Sequence, residues 1–525
     1  MKILIVAVNA KYIHSNPAVY SLRASSMHPE IVEVAEFTIN DRYEDILAGI
    51  LEKEADVIGF STYIWNTDII EDLMADVRRV RGGGVVLFSG GPEASNAPER
   101  FLANGDFVIC REGERPFAAV TALALEEREP EALLARVKNE VPGAAYLADG
   151  KLKVNPAAAG AGDDIDRAPF LYDDLAPFDN RIIYYESSRG CPFACSYCLS
   201  SIDRKVRFRS LDKVLPELQF FIDRRVPQVK FIDRTFNASH ERTMAIWTYL
   251  RDHDNGVTNF HFEIGADLLT EEELALLEGL RPGLVQLEIG IQSTNAETLA
   301  AIRRVTDLPR LFGNIERLRR AENINLHVDL IAGLPFEGYE RFGQSFDDVY
   351  ALHADQLQLG FLKVLAGTEM HRRAKEWDIR YSVRPPYEVL STKWLTWAEL
   401  GKLRRITDVL EYYYNSGQFI HTLGYLENSW GSAFKFFEEL AEFFRERGYD
   451  RARPSAAARY EVLEEFAGEK KLGDLSIVKE YLRLDQMLHI RRNRRGSVSD
   501  VFDFGQGRVR VTVEYGKKGY KAERV

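Results

Sequence analysis

Three of the chain's four cysteines fall within eight positions, as Cys191-Pro-Phe-Ala-Cys195-Ser-Tyr-Cys198. A loop this short presents three thiolates to one centre, and iron–sulfur clusters are held by cysteine thiolates, four in a full complement. Three thiolates satisfy all but one corner of a four-iron, four-sulfur cluster and leave one iron open to a small molecule. A structural zinc site takes four nitrogen or sulfur ligands and would need a distant histidine here. A disulfide fits poorly, because cysteine is scarce and Met1–Val8 reads as a buried strand, wrongly flanked for a secretion signal. Cys110, alone in Asp106-Phe-Val-Ile-Cys110, is expected to pack in a strand. No apolar stretch approaches membrane-spanning length. The expected setting is reducing and cytoplasmic, as an oxygen-sensitive cluster requires.

At 525 residues the chain has room for two to four domains. Its net charge of −12 argues against a whole-surface attraction to nucleic acid. One basic run, His489-Ile-Arg491-Arg492-Asn-Arg494-Arg495-Gly496 with Lys517, Lys518 and Lys521, reads first as a solvated face, with RNA or an anionic substrate as the alternative. Residues 1–145 alternate apolar strands (Lys2–Val8, Ile31–Phe37, Ala55–Ser61, Val85–Gly90, Phe107–Cys110) with helical stretches such as Ile69–Arg81. That pattern predicts a doubly wound parallel sheet. Ligands bind such sheets at the carboxyl ends of the strands. Ser61-Thr-Tyr-Ile-Trp-Asn66, Ser89-Gly-Gly-Pro-Glu-Ala-Ser95 and Arg111-Glu-Gly-Glu-Arg115 fall there. No GxGxxG follows the first strand, so an ordinary dinucleotide site is excluded.

Residues 146–180 read as a linker, centred on Pro156–Gly162. From 181 to 375 six further strands are predicted, at Arg181–Tyr185, Val229–Asp233, Asn259–Ile264, Leu284–Ile289, Asn325–Ile331 and Gln356–Val364. Six strand–helix units make a partial (β/α)6 barrel, and barrels place their chemistry at the carboxyl ends of their strands. The cysteine loop follows the first. Residues 376–525 turn mostly α-helical, with Leu400–Tyr414 and Phe434–Arg447 at helical spacing, and are expected to cap the barrel mouth. Tyr412–Tyr414 reads as core packing, with glycine beyond it as a C-cap favours. Gly505–Tyr515 reads as a final hairpin.

The cysteine loop, with Tyr197 before its third cysteine, resembles that of the radical S-adenosylmethionine (SAM) superfamily. The resemblance implies that the open iron chelates the amino and carboxylate groups of SAM, and that reduction cleaves SAM to a 5′-deoxyadenosyl radical. The core is most similar to the coproporphyrinogen-oxidase-like group. Glu263 in Phe262–Asp267, the Gly-x-Gln-Ser-like run Glu288-Ile-Gly-Ile-Gln292-Ser293, Arg304 at the group's spacing, and Asp329-Leu-Ile-Ala-Gly-Leu-Pro335 carry that likeness. By it, Tyr197, Glu263, Glu288, Gln292, Ser293, Arg304 and Asp329 form the SAM site. An arginine suits the methionyl carboxylate, and acids or an amide suit the ribose hydroxyls and amino group. Asp233-Arg-Thr-Phe-Asn237 resembles an Asp-Asp-x-Phe pattern of cobalamin-dependent members, with Arg234 in place of the second acid; Phe236 is expected to pack, and Asp233 and Asn237 could face the cavity. Gly367-Thr368 resembles the group's barrel closure.

The N-terminal sheet looks like the cobalamin-binding domain found upstream of many radical SAM domains. The match lies in Gly90, Gly91, Pro92 and Glu93 and in Glu112, Gly113 and Glu114. Glycines allow close approach of backbone to a flat corrin. The cobalt-ligating Asp-x-His-x-x-Gly motif is absent, and His14 lacks its spacing, so the resemblance puts Tyr63, Trp65 and Asn66 near the lower face of the cobalt, with Ser61 also in the cobalamin site. The C-terminal third resembles an uncharacterised domain of some bacterial cobalamin–radical SAM proteins. Together these imply an enzyme using a [4Fe–4S] cluster, SAM and cobalamin, and point first to a methyltransferase acting on an unactivated carbon through the adenosyl radical and methylcobalamin. Rearrangement or cyclisation without methyl transfer, and a non-catalytic cluster and cobalamin sensor, are the alternatives. Expected partners are a small-molecule or peptide substrate and an external electron donor of flavodoxin or ferredoxin type, with tRNA disfavoured by the acidic balance and no membrane.

Overall fold

The computed structural model describes residues 1–156, 165–427, 429–490, 497–514 and 520–525. Most of the Pro156–Gly162 linker, the arginines of the basic run, Lys517 and Lys518 lie outside the described residues. Strand β1 (Ile3–Asn9) is buried at all seven positions, because a strand with parallel neighbours on both sides and helices on both faces meets no solvent. Strands β2 (Val32–Thr38), β3 (Val57–Ser61), β4 (Val86–Gly90) and β5 (Phe107–Ile109) join it in parallel, in the order β2-β1-β3-β4-β5. Antiparallel β6 (Ala144–Ala148) and β7 (Lys151–Val154) extend the far edge, so the sheet runs past residue 145. One core packs Ile46, Ile70 and Met74 against Leu4 and Val6; the other packs Val19, Phe117 and Val137 against Ile3 and Ile5. The sheet is doubly wound. Its order reverses between β1 and β3, whose carboxyl ends at Asn9 and Ser61 bound the crevice where such sheets take ligands.

The second sheet begins with β8 (Ile183–Tyr185). A two-residue antiparallel ladder, β9 (Ser188–Arg189) with β10 (Arg207–Phe208), then closes the base of the cysteine loop. Strands β11 (Gln228–Phe231), β12 (Asn259–Ile264), β13 (Val285–Gln292), β14 (Asn325–Ala332) and β15 (Gln356–Phe361) follow, all parallel, in the order β8-β11-β12-β13-β14-β15. This is the six-stranded partial barrel. In β13 every second residue (Val285, Leu287, Ile289, Ile291) is buried, and the intervening Gln286, Glu288, Gly290 and Gln292 are half-buried on the other face. Strand periodicity thus turns a row of polar groups toward one side of the sheet. β13 reaches Gln292, three residues beyond the expected end, through a bulge between Gly290 and Gln292.

The C-terminal region divides in two. Helices Trp397–Tyr413 and Ala433–Glu446 pack outside the barrel, where Phe434 meets the rings of Tyr339, Phe342 and Phe346 on the helix Tyr339–Tyr350. Tyr413 is buried, as a packing role requires. The expected mouth cap falls instead to the segment holding β16 (Arg380–Tyr381) and β17 (Val389–Ser391), which pairs with the chain beyond β15 through Val389 N to Leu362 O and Val364 N to Tyr387 O, 2.9 and 3.0 Å. The expected Gly505–Tyr515 hairpin is a three-stranded sheet, β18 (Ser497–Asp503), β19 (Arg508–Glu514) and β20 (Lys521–Arg524). Gly505 and Gly507 form its first turn, and β18 escapes notice because Val501 and Phe502 break the alternation of apolar and polar residues. Among the described residues no helix is long and apolar enough to cross a membrane.

Candidate active site

The cysteine loop is anchored before, within and beyond its three ligands. Gly190 takes a φ of +92° and lies against the backbone of Asp203 and Lys205, where a side chain would collide. Cys191 N donates to Asp203 O at 3.1 Å, Ser196 N to Ile302 O at 2.9 Å, and Met370 N to Ser196 O at 2.8 Å. All three thiols are free; Cys195 is buried, and Cys191 and Cys198 are half-buried. Burial pushes the Cys195 thiol up, while the Arg304 guanidinium, whose Nη1 lies 3.8 Å from Sγ, pulls it toward the thiolate. Among the described residues no three ligating side chains are close enough to hold a single metal ion, and the corners of a cluster stand wider apart than that.

Arg304 joins this loop to the end of β13. Its Nη2 donates to Gly290 O, and its Nε is buried without a partner. Gln292, at a φ of +73°, folds its amide back over Gly290 and leaves Oε1 buried and unpaired. Asp329 Oδ1 lies 3.1 Å from His327 Nε2 without the alignment of a hydrogen bond. Half-buried Arg, Gln and Asp side chains with buried, unmatched polar atoms beside three free thiols fit a polar ligand held against a cluster. Tyr197 packs its ring against the barrel core next to Arg304. Ser293 donates to Glu337 Oε1 at 2.7 Å and accepts from Asn295 N at 3.0 Å, so it holds the loop after β13.

Glu263 and Glu288 sit side by side in register on β12 and β13 yet titrate in opposite directions. Burial, reinforced by Glu288 and Asp329 and opposed by Arg234, pushes Glu263 up to about 7. Burial acts on Glu288 too, but His261 and Lys230, at 3.1 and 2.9 Å, hold it at about 2. Glu288 is therefore committed to a buried ion cluster deeper in the barrel than Gln292. Lys230, His261 and His327 were missed in the sequence, although each stands between two apolar residues of its strand, the mark of a polar inner face. Because the folded pKa of Glu263 exceeds that of an ordinary glutamate, the ligand-free protein loses stability as pH rises from about 4.5 through about 7. Glu263→Gln is thus expected to be more stable than the parent at about pH 8, by on the order of 2 kcal/mol, and equal to it at about pH 4, measured by denaturant unfolding.

At the N-terminal crevice Tyr63 and Trp65 stack at 4.4 Å with planes 7° apart, and Trp65 is 42% exposed. This flat platform at the end of β3 fits an extended macrocycle. Asn66 spends its side chain on the loop itself, donating to Val8 O and Ser61 O and accepting from Tyr63 N. Ser61 Oγ accepts from Asn16, whose Oδ1 is buried and unpaired, as is Ser89 Oγ at the end of β4. Pro92 opens the turn Pro92–Asn96 behind Gly90 and Gly91, and Gly113 caps the helix Glu114–Glu126. His14 pairs with Tyr184 OH at 2.6 Å rather than standing free over the platform. Cys110 packs beside one sheet core.

The acidic residues of this crevice bind the rest of the chain. Arg189 bridges Glu112, Glu114 and Glu186; Arg207 reaches Glu112 at 2.6 Å; Tyr387 OH donates to Glu93 at 2.9 Å. These contacts seat the sheet over the barrel mouth. Asp233 accepts from Ser187 N, Ser187 Oγ and Ser188 N at 2.6–3.0 Å, and Asn237 exchanges two bonds with Gly265, so both fix strand ends. Phe236 is core, against Phe231, Trp247 and Phe262. Thr368 caps the short helix Glu369–Arg373. Arg234, at the end of β11, is exposed and bears electrostatically on both Tyr63 and Glu263.

Residues 3–121 match the family described as B12 binding domain, and residues 185–349 match the Radical SAM superfamily. The chain is a radical SAM enzyme with an N-terminal B12 binding domain. Residues 375–503 match a family described only as a protein of unknown function, DUF4080. These domains bring a [4Fe–4S] cluster, SAM and cobalamin to this radical SAM enzyme. Its relatives include the uncharacterized methyltransferase PH0819 of Pyrococcus horikoshii, 24% identical over 69% of this chain and 80% of that protein. The cobalamin-dependent radical SAM methyltransferase TokK of Streptomyces tokunonensis is 23% identical over 57% of this chain, and the match spans 45% of TokK. The fold is shared with OxsB bearing aqua-cobalamin and SAM (TM-score 0.61, 16% identity, 93% of this chain and 80% of that one). It is shared too with TsrM from Kitasatospora setae bearing cobalamin and a [4Fe–4S] cluster (TM-score 0.56, 16% identity, 74% and 79%).

Proposed function

We propose that this radical SAM enzyme is a cobalamin-dependent methyltransferase that methylates an unactivated carbon of a small molecule or peptide. The observation that carries the reading is Arg189. Two positions before Cys191, it pairs with Glu112 and Glu114 of the N-terminal crevice, so the cysteine loop lies against that crevice. A carbon atom lodged between the two lies within the province of both. When bound, the three cofactors supply hydrogen abstraction and delivery of a methyl group.

The chain's own residues bind, orient and exclude solvent. Cys191, Cys195 and Cys198 hold the cluster. Arg304 offers a fixed fork to the carboxylate of SAM, Asp329 and the Gln292 amide accept from its hydroxyl and amino groups, and Glu263 accepts from them once deprotonated. Tyr63 and Trp65 support the corrin, and the ion pairs around Arg189 close the gap from the side.

The test is anaerobic reconstitution with iron, sulfide and hydroxocobalamin, then incubation with SAM, strong reductant and a panel of small molecules and peptides. Both 5′-deoxyadenosine and S-adenosylhomocysteine are expected by mass spectrometry, and both are expected to vanish in Cys195→Ala. If 5′-deoxyadenosine forms alone across the panel, methylation gives way to rearrangement; if neither forms, to a sensor.

A further inference from the structure

The segment Asp233-Arg-Thr-Phe-Asn237 leaves β11 and passes beside the cysteine loop. It is held at both ends, Asp233 by Ser187 and Ser188 and Asn237 by Gly265. Thr235, between them, is 7% exposed. Its Oγ1 lies 3.5 Å from Cys191 Sγ and donates to Arg234 O at 2.8 Å. Cys191 is fixed separately, by its backbone bond to Asp203 and by the close approach of Gly190 to Lys205. Neither anchor uses the contact between Thr235 and Cys191, so the two side chains are brought together by the fold around them.

The contact changes character when iron binds. A free thiol carries a proton and can donate to Oγ1 while the hydroxyl donates to Arg234 O. A cysteine that holds iron is a thiolate and can only accept. The hydroxyl then has one proton and two acceptors within reach. A bond to an ionised acceptor is about twice as strong as one to a neutral carbonyl, so the sulfur takes it. Cys195 is served differently, by the full charge of Arg304, which is shared with Gly290 O. Ser201, later in the loop, donates at 2.7 Å to the carbonyl of Cys198 and not to its sulfur.

We propose that the Thr235 hydroxyl donates to the Cys191 sulfur in the cluster-bound enzyme and thereby raises the reduction potential of the cluster. Reduction adds one negative charge, which spreads over iron and sulfur. A donor at a ligand sulfur stabilises the reduced state more than the oxidised one, and hydrogen bonds to the sulfurs are among the levers that set such potentials. Thr235 is therefore a positioning residue: it touches neither substrate nor SAM and acts through Cys191. In the step it eases, an external reductant loses one electron and the cluster gains it. No bond to iron or sulfur breaks, and the proton stays on Oγ1. The inference needs the cluster and not methyl transfer, so it stands whether or not the reading above does.

The experiment is a redox titration of the reconstituted full chain with dithionite, without SAM, in which electron paramagnetic resonance counts the reduced cluster. The variants are Thr235→Val, which keeps the shape and removes the hydroxyl, Thr235→Ala, Thr235→Ser, and Ser201→Ala as a control hydroxyl of the same loop. Iron and sulfide content is expected to stay parental in all four. At the potential where half of the parental cluster is reduced, the ratio of reduced to oxidised cluster is expected to fall about threefold or more in Thr235→Val and Thr235→Ala. It should stay near parental in Thr235→Ser and Ser201→Ala. A parental potential in both Thr235→Val and Thr235→Ala overturns the proposal, as does an equal fall in Thr235→Ser or in Ser201→Ala. If Thr235→Val fails to take up iron, Thr235→Ala decides. If both fail while Thr235→Ser assembles, the hydroxyl serves assembly and not the potential, and the proposal is overturned as well.

Discussion

Arg304→Ala is expected to weaken SAM binding about 100-fold while the cysteine loop stays in place. Arg304 is held between Cys195 and Gly290 O, with its buried Nε unspent. Truncating one member of a buried charged pair costs about 3 kcal/mol, which is roughly two decades of affinity. The loop itself is held by backbone bonds to Ile302, Met370 and Asp203, none of which uses the guanidinium. Iron and sulfide content should therefore remain near parental while equilibrium binding of SAM falls. Arg304→Lys separates charge from shape: an ammonium restores the positive charge beside Cys195 but not the planar fork, so it should recover no more than a tenth of the lost affinity. If Arg304→Ala binds SAM as tightly as the parent, the residue is a strut between β13 and the loop and nothing more.

That residue also shows how far the sequence could be read. Arg304 and Gln292 were legible because spacing along one chain carried them, and the structure brings both to the cysteine loop. Apolar runs placed the five parallel strands of the first sheet and all six of the second, Asn259–Ile264 to the residue, but not the antiparallel β6 and β7, which fell largely where the chain read as a linker. β13 was underestimated where Gly290 and Gln292 interrupt the pattern, and those interruptions lie in the candidate site. What spacing could not carry was partnership across the fold. Glu112 and Glu114 looked like pocket lining, yet their nearest charges are Arg207 and Arg189, more than seventy positions away. Glu288 looked like a SAM ligand, and only the third dimension sets Lys230 and His261 against it. The C-terminal helices read clearly as helices, whereas the division between a mouth strap and an outer buttress depends on contacts that periodicity does not encode.

The glycines of the crevice separate in the same way, and they give the second large expected effect. Both Gly91 and Gly113 suggested room for a close-lying corrin. Gly91 is needed by the protein first. Its φ is +110°, and a Cβ there would sit 2.5 Å from Thr62 O and 3.2 Å from Thr62 N. Thr62 cannot yield, because its N and Oγ1 both donate to Gly90 O, at 2.8 and 2.7 Å, and its Oγ1 accepts from Ala94 N at 3.2 Å. These bonds lace the loop after β3 to the loop after β4. Gly91→Ala must either break them or hold a strained backbone, an expected loss of about 3 kcal/mol. The next residue, Tyr63, is half of the aromatic platform, so hydroxocobalamin retention should fall tenfold or more with it. Gly113→Ala is the matched comparison: its φ is −91°, and the new Cβ would press only on the end of the Leu22 side chain at 3.0 Å, with Ile109 Cγ2 in ordinary contact at 3.8 Å. It should cost under about 1 kcal/mol and keep the cofactor. Denaturant unfolding and cobalamin absorbance on the two variants decide the point. Equal stability and equal retention would mean that the crevice loops bend to the corrin; the expected split means that the protein builds a rigid cradle before any cofactor arrives.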